Sequence, residues 1–269
     1  MQFDNYIFDL YGTLIDIHTD EEKKSLWQAM CRYLDNNFGV KYTPAVLRKR
    51  YLQICSEEEE LLAKRLITVK GSSIKENCCE IRISWVWERL IWEKTDPGSK
   101  YGITEDLTEQ MQALCTFFRE KSRDRLLKYD GVDEVLQTLK KRGKKIFLLS
   151  NAQRAFTVKE LSDCSLTDYF DDIFISSDCM VKKPDPLFME KLLKKQSLDK
   201  SKCVMIGNDI LSDAGVASGS GIRSIFLNTY SLSDRQIKED IGTLGITDKD
   251  LMPVVVPDGD IRKILALTL

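Results

Sequence analysis

Tyr6-Ile7-Phe8-Asp9-Leu10-Tyr11-Gly12-Thr13-Leu14 decides the fold. The apolar run 6–8 reads as a buried strand that ends on Asp9, and Gly12 and Thr13 allow a sharp turn beyond it. A carboxylate at the carboxyl end of a first strand sits where open α/β sheets bind ligands. There it serves as a nucleophile or holds a metal. A helix N-cap or turn Asp would produce the same short motif, so the later segments have to decide.

Working outward, strand and helix patterns alternate from Tyr129 onward. Strands are expected at 145–150, 173–176, 203–207, 224–227 and, as an edge, 254–256. Helices are expected at 132–142, 155–163, 186–195, 212–218 and 261–267. This alternation predicts an α/β fold: a doubly wound parallel sheet with right-handed crossovers and helices on both faces. Between Asp9's strand and that region the chain reads differently. Residues 21–36, 44–69, 74–94 and 105–127 are charged, with apolar residues at helical spacing, as in Leu26, Met30, Tyr33 and Leu34. Thr43-Pro44 resembles an N-cap followed by proline at the first helical position. Gly71-Ser72-Ser73 and Asp96-Pro97-Gly98 read as turns. The core is therefore expected to be discontinuous, 1–16 plus 126–269, with an all-helical insert over 17–125. Trp85, Trp87 and Trp92 are expected in the insert's core.

Each core strand ends on a polar cluster. Ser150-Asn151 offers a hydroxyl and an amide to an anionic oxygen, or a helix cap. In Lys182-Lys183-Pro184-Asp185-Pro186, two prolines restrain the backbone behind Lys183, which is placed to neutralise a carboxylate or phosphate. Gly207-Asn208-Asp209-Ile210-Leu211-Ser212-Asp213 brings two carboxylates and an amide to one turn. That set suits a hard cation, although one Asp could only cap the helix.

Composition narrows the field. The chain has 269 residues and a net charge of -2, which predicts no broad nucleic-acid footprint. The acidic run Glu57–Glu60 reads as a solvated helix face. Eight cysteines form no C-x-x-C pair, and a single histidine, His18, completes neither a zinc pattern nor a Ser-His-Asp triad. With no signal peptide and no long apolar run, a reduced, cytoplasmic protein with no membrane association is expected.

In this order the four clusters resemble those of the haloacid dehalogenase superfamily of hydrolases, and the helical insert lies where that family carries its cap. The resemblance covers about residues 3–16 and 129–227. It implies that Asp9 is the nucleophile, which in the phosphatases forms an aspartyl-phosphate that water hydrolyses. It implies that Ser150 and Asn151 bind the transferring group, that Lys183 steadies charge near Asp9, and that Thr13 completes the nucleophile loop. It implies Mg²⁺ as cofactor, held by Asp9, the Tyr11 backbone carbonyl and one or more of Asn208, Asp209 and Asp213. The substrate implied is a small molecule, a phosphate monoester.

One position departs from the phosphatase pattern. Those enzymes place a second Asp, a general acid and base, two residues after the nucleophile; here that residue is Tyr11. A phenol with a pKa of about 10 is a poor substitute. D-x-Y-G-T is instead typical of the 2-haloacid dehalogenases, which attack carbon and need no metal. Yet their Arg about thirty residues downstream is missing (Val40 stands there, with Arg32 nearest), and Met189 replaces their Tyr after the third motif. The leading expectation is an Mg²⁺-dependent phosphatase in which water, His18 or an insert carboxylate stands in for the acid. The alternatives are a metal-independent haloacid dehalogenase-like hydrolase and a non-catalytic binding protein.

Overall fold

The computed structural model describes residues 2–70, 74, 75, 77–98, 102 and 107–269, with side chains of 67–70 left aside. Along the chain run β1 (Asn5–Phe8), β2 (Ile15–Thr19), α1 (Lys24–Phe38), α2 (Pro44–Lys70), α3 (Ile83–Thr95), α4 (Glu109–Ser122) and β3 (Arg123–Lys128). Next come α5 (Val132–Lys141), β4 (Lys145–Ser150), α6 (Arg154–Asp163), β5 (Asp172–Ile175), α7 (Ser176–Cys179), α8 (Pro186–Gln196) and β6 (Cys203–Gly207). The chain then forms α9 (Gly215–Gly219), β7 (Arg223–Leu227), α10 (Asp234–Thr243), β8 (Val254–Val256) and α11 (Lys263–Thr268).

Six strands form one sheet in the order β5-β4-β1-β6-β7-β8, every pair parallel. Burial on both sides explains the continuous apolar run of β1. Tyr6 and Phe8 face one layer with Val135, Leu136 and Leu139 of α5, while Ile7 faces Phe188, Met189 and Leu192 of α8. Pro186 opens α8 under the Asp185 cap, which accepts from the Leu187 amide at 2.9 Å. Because β1 lies between β4 and β6, the chain leaves the sheet in opposite directions on its two sides. The crevice this opens is where Asp9 emerges.

The insert forms its own apolar cluster. At its centre Trp27, Tyr51, Trp87 and Phe118 stack edge-on or tilted, 5.0–5.9 Å between ring centroids. Trp85 and Trp87 are buried as expected, and Trp92 is half-buried.

Several elements differ from the sequence reading. The helix expected to run to Leu127 ends at Ser122, and 123–128 turns into β3, antiparallel to β2. The two insert connections are thus one two-stranded ribbon. The helix expected from Ile74 begins only at Ile83. Cys79 bridges Val181, Lys182 N donates to Cys78 O at 2.9 Å and Glu80 N to Met180 O at 3.3 Å. Backbone groups spent on the core are not available to a helix. Glu58 is buried against Arg89, 2.7 Å away, so the acidic run is not wholly solvated. Helix α10 was not anticipated, although Ser233 caps it by accepting from Gln236 N. The region 212–218 is a π-helical turn over Ile210–Ala214 followed by α9. The turn expected at 71–73 and the residues 105–106 lie outside the described residues. Among the described residues no helix is long and apolar enough to cross a membrane, and all eight cysteines are free thiols.

Candidate active site

Asp9 follows β1 directly, and its amide donates to Ile206 O of the neighbouring β6. The turn after it closes tightly, with Leu14 N and Ile15 N both donating to Leu10 O. Gly12 sits at φ +84°, the left-handed region that glycine adopts without penalty. A Cβ there would also overlap the Asn208 amide. The Thr13 hydroxyl lies 3.1 Å from Asp9 Oδ2 and 3.3 Å from Asn208 Oδ1, so two acceptor oxygens stand beside one hydrogen.

Lys183 is the centre of charge. Its Nζ donates to Asp9 Oδ1 at 2.6 Å and to Asp213 Oδ1 at 2.7 Å, and all three side chains are buried. Burial disfavours the ammonium, but Asp213 and Asp9 outweigh it and hold its pKa above the ordinary lysine value. Burial pushes the Asp213 carboxyl up, Lys183 opposing and Asp9 adding to the rise. Gly207 makes the arrangement sterically possible, because a Cβ there would overlap the Asp213 carboxylate.

The other candidates divide. Ser150 Oγ is buried with no hydrogen-bond partner among the described residues. Asn151 was expected to bind substrate. Its side chain instead grips the Lys183 backbone, Oδ1 accepting from Lys183 N at 2.8 Å and Nδ2 donating to Lys183 O at 3.0 Å. It thereby positions the lysine. Asp209 was expected among the metal ligands. Its carboxylate is exposed and caps the following turn, accepting from Ser212 N at 2.9 Å, while its own amide donates to Asp213 Oδ2. Among the described residues no group of three or more His, Cys, Asp or Glu converges on a metal position. An oxygen set at this turn has to include the amide of Asn208.

Tyr11 faces away from this trio. Its hydroxyl bonds Glu160, and lies 3.0 Å from Thr157 Oγ1. Glu160 is buried and also receives Arg119 Nε at 2.8 Å and Arg123 Nη1 at 2.7 Å. The Arg119 guanidinium lies over both the Tyr11 and the Phe156 rings. Burial and the Glu160 charge hold the Tyr11 phenol well above its ordinary pKa. It is neutral and occupied. His18 pairs with Asp124 on the ribbon and its side chain is 55% exposed, so it brings no acid to Asp9. Sequence reasoning missed Glu160, Arg119 and the 228–232 loop, whose Thr229 Oγ1 donates to Gly12 O at 2.6 Å. No local pattern marks any of them; only the fold joins them to the motif.

A Rossmann-like parallel sheet with a buried carboxylate–lysine–carboxylate trio at its carboxyl edge and a helical insert above defines a class of hydrolases. The model of the haloacid dehalogenase-like hydrolases matches residues 3–221, and the chain belongs to that family. Among its relatives is the pyrimidine 5'-nucleotidase PynA of Streptococcus pneumoniae, 30% identical over 105 residues, 39% of this chain and 44% of that one. Another is phosphoglycolate phosphatase 1 of Pseudomonas aeruginosa, 28% identical over 165 residues, 58% of this chain and 60% of that one. The matched stretch thus spans less than two thirds of either relative. Of solved structures, a 2-haloacid dehalogenase from Pseudomonas syringae pv. Tomato superposes with a TM-score of 0.57 at 20% identity, covering 99% of both chains. The L-2-haloacid dehalogenase of Xanthobacter autotrophicus gives 0.51 at 17% identity, covering 98% of this chain and 99% of that one. At such identities these two show a shared fold.

Proposed function

We propose that the chain is an Mg²⁺-dependent phosphatase of a small phosphorylated metabolite, with Asp9 as nucleophile. The observation that carries this reading is the convergence of the buried Asp9 and Asp213 carboxylates on Lys183, with the Asn208 amide oxygen beside them. Lys183 is shared between the two carboxylates, and a phosphate dianion approaching Asp9 would bring further negative charge that a second cation would offset. The donor set, one carboxylate, one amide oxygen and a backbone carbonyl, fits a hard cation. Asp9 Oδ2 and Asn208 Oδ1 would hold it, with the Tyr11 backbone carbonyl, and Asp213, bonded to Lys183, would add negative charge to the site. When bound, the ion would screen the approach of the Asp9 carboxylate to the phosphate.

The protein's own groups do the rest. Asp9 attacks phosphorus, the ester oxygen leaves, and the aspartyl-phosphate is hydrolysed by water. Lys183, held by Asn151, steadies charge on the transferring oxygens, and the unpartnered Ser150 hydroxyl has hydrogen-bonding capacity to offer them. The helical insert, residues 17–125, covers the site as a cap and excludes water. Tyr11 does not protonate the leaving group, because its hydroxyl is committed to Glu160.

This yields a specific expectation. Turnover should fall steeply as the leaving group's pKa rises, since general acid assistance is typically worth about 100- to 10,000-fold. A panel of aryl and alkyl phosphates with millimolar Mg²⁺ would show it, and Asp9→Asn should abolish turnover throughout. Halide release from 2-haloacids without metal, in place of phosphate release, would overturn the reading.

A further inference from the structure

Besides its ribbon, the insert is stitched to the core along a second line. Cys79 and Val181 are antiparallel bridge partners, flanked by Lys182 N donating to Cys78 O and Glu80 N donating to Met180 O. Lys75 N donates to Asp185 Oδ2 at 2.6 Å, and Asp185 is buried. Gln153, at the start of α6, holds the other end. Its Nε2 donates to Glu80 Oε1 at 2.8 Å and to Ile81 O at 2.9 Å, and its Oε1 accepts from Ile83 N at 2.8 Å. Ser176 Oγ lies 3.1 Å from Glu80 Oε2 and accepts from Ala152 N at 2.8 Å.

Apolar packing crosses the same line. Ala155 of α6 belongs to the insert's cluster and Met180 packs against it, while Val181 is buried in the core layer of Phe188 and Leu192. Residues 180–182 lead directly into Lys183, whose backbone Asn151 grips from the core side. A lid that swings on one hinge needs its other edges free. Here the β2–β3 ribbon is one attachment, Glu160 with Arg119 and Arg123 a second, and the seam at 75–83 a third. Rotation about the ribbon would strip the seam's hydrogen bonds together and bare Ala155 and Met180 to water.

We propose that the insert is a fixed roof and not a swinging lid: the seam stays shut through turnover, and substrate enters and product leaves without its opening. This goes beyond the phosphatase reading and does not depend on which reaction occurs at Asp9.

Two measurements test it. Amide hydrogen exchange of Glu80 and Lys182 is read in the wild type, with the interior amides of α3 as reference. A swinging insert would expose the two seam amides while α3 stays folded. A fixed one should keep them within about tenfold of the α3 rates, and faster exchange than that would overturn the proposal. The second measurement locks the seam. Cys79 and Val181 form the non-hydrogen-bonded kind of antiparallel pair, in which Cα atoms lie about 4.5 Å apart, a separation that a disulfide spans. Val181→Cys is oxidised, and mass mapping confirms that the bond joins Cys79 to the new thiol. On an aryl phosphate with millimolar Mg²⁺, the locked and reduced forms should turn over within about twofold of each other, because no opening step is blocked. A larger loss on locking, restored by dithiothreitol, would show that the seam opens and would overturn the proposal. Hydrogen exchange needs no turnover, so it decides the matter even if no phosphate ester is hydrolysed, a result that would sink the phosphatase reading alone.

Discussion

Tyr11 stands two residues past Asp9, and its surroundings account for a phenol there. The ring lies under Arg119, and the hydroxyl is one of three donors to Glu160. Sequence alone invites Tyr11→Asp as a restoration of the missing acid. The structure predicts the opposite result, because the new carboxylate would enter a part-buried site beside Glu160, which is already paired with two arginines. Tyr11→Phe keeps the packing and loses one hydrogen bond to a charged group, worth about 1.5–3 kcal/mol. Tyr11→Asp should cost more than Tyr11→Phe in urea unfolding. A Tyr11→Asp protein as stable as wild type and faster on alkyl phosphates would show the position to be an acid site after all. Asn151 and Asp209 teach a related lesson. Each lies in a motif, but hydrogen bonding that sequence does not reveal turns one onto the Lys183 backbone and the other onto a helix start.

Among the elements, the core strands were legible almost residue by residue. Strands such as 145–150 and 203–207 are continuous apolar runs because they are buried on both faces, and their ends carry the polar clusters. What could not be read was structure set by distant partners. The segment 79–82 is not helical because Val181 and its neighbours pair with the backbone around Cys79. Likewise 123–128 (RDRLLK) is a strand because β2 lies beside it. Insert and core are also joined through Glu160 on α6, which takes Arg119 from α4 and Arg123 from β3. Glu160→Gln leaves two arginines without their counter-charge in a buried setting. Breaking such a pair costs about 3–5 kcal/mol when fully buried; the arginines keep some exposure, so a loss toward the lower end is expected. The readout is the urea midpoint, together with faster protease cleavage between insert and core. A midpoint within error of wild type would remove the network from the account of how the insert is seated.

Over the whole molecule, cation binding and stability should be linked. A ligand bound only by the folded state stabilises it by about 2.7 kcal/mol at a hundred times its Kd. Millimolar Mg²⁺ should therefore raise the melting temperature. Asp9→Asn should lose most of that rise, whereas Asp209→Asn should keep it, since Asp209 only caps a turn. A rise abolished by Asp209→Asn would return that residue to the ligand set. The paired strands β2 and β3 carry one more implication. Ile15 and Lys128 are register partners, so the polypeptide leaves the sheet layer and comes back through a single doorway. A two-residue hairpin turn spans such a gap. The helices can thus be exchanged as one cassette without rethreading a strand of the sheet, provided the incoming insert keeps arginines for Glu160.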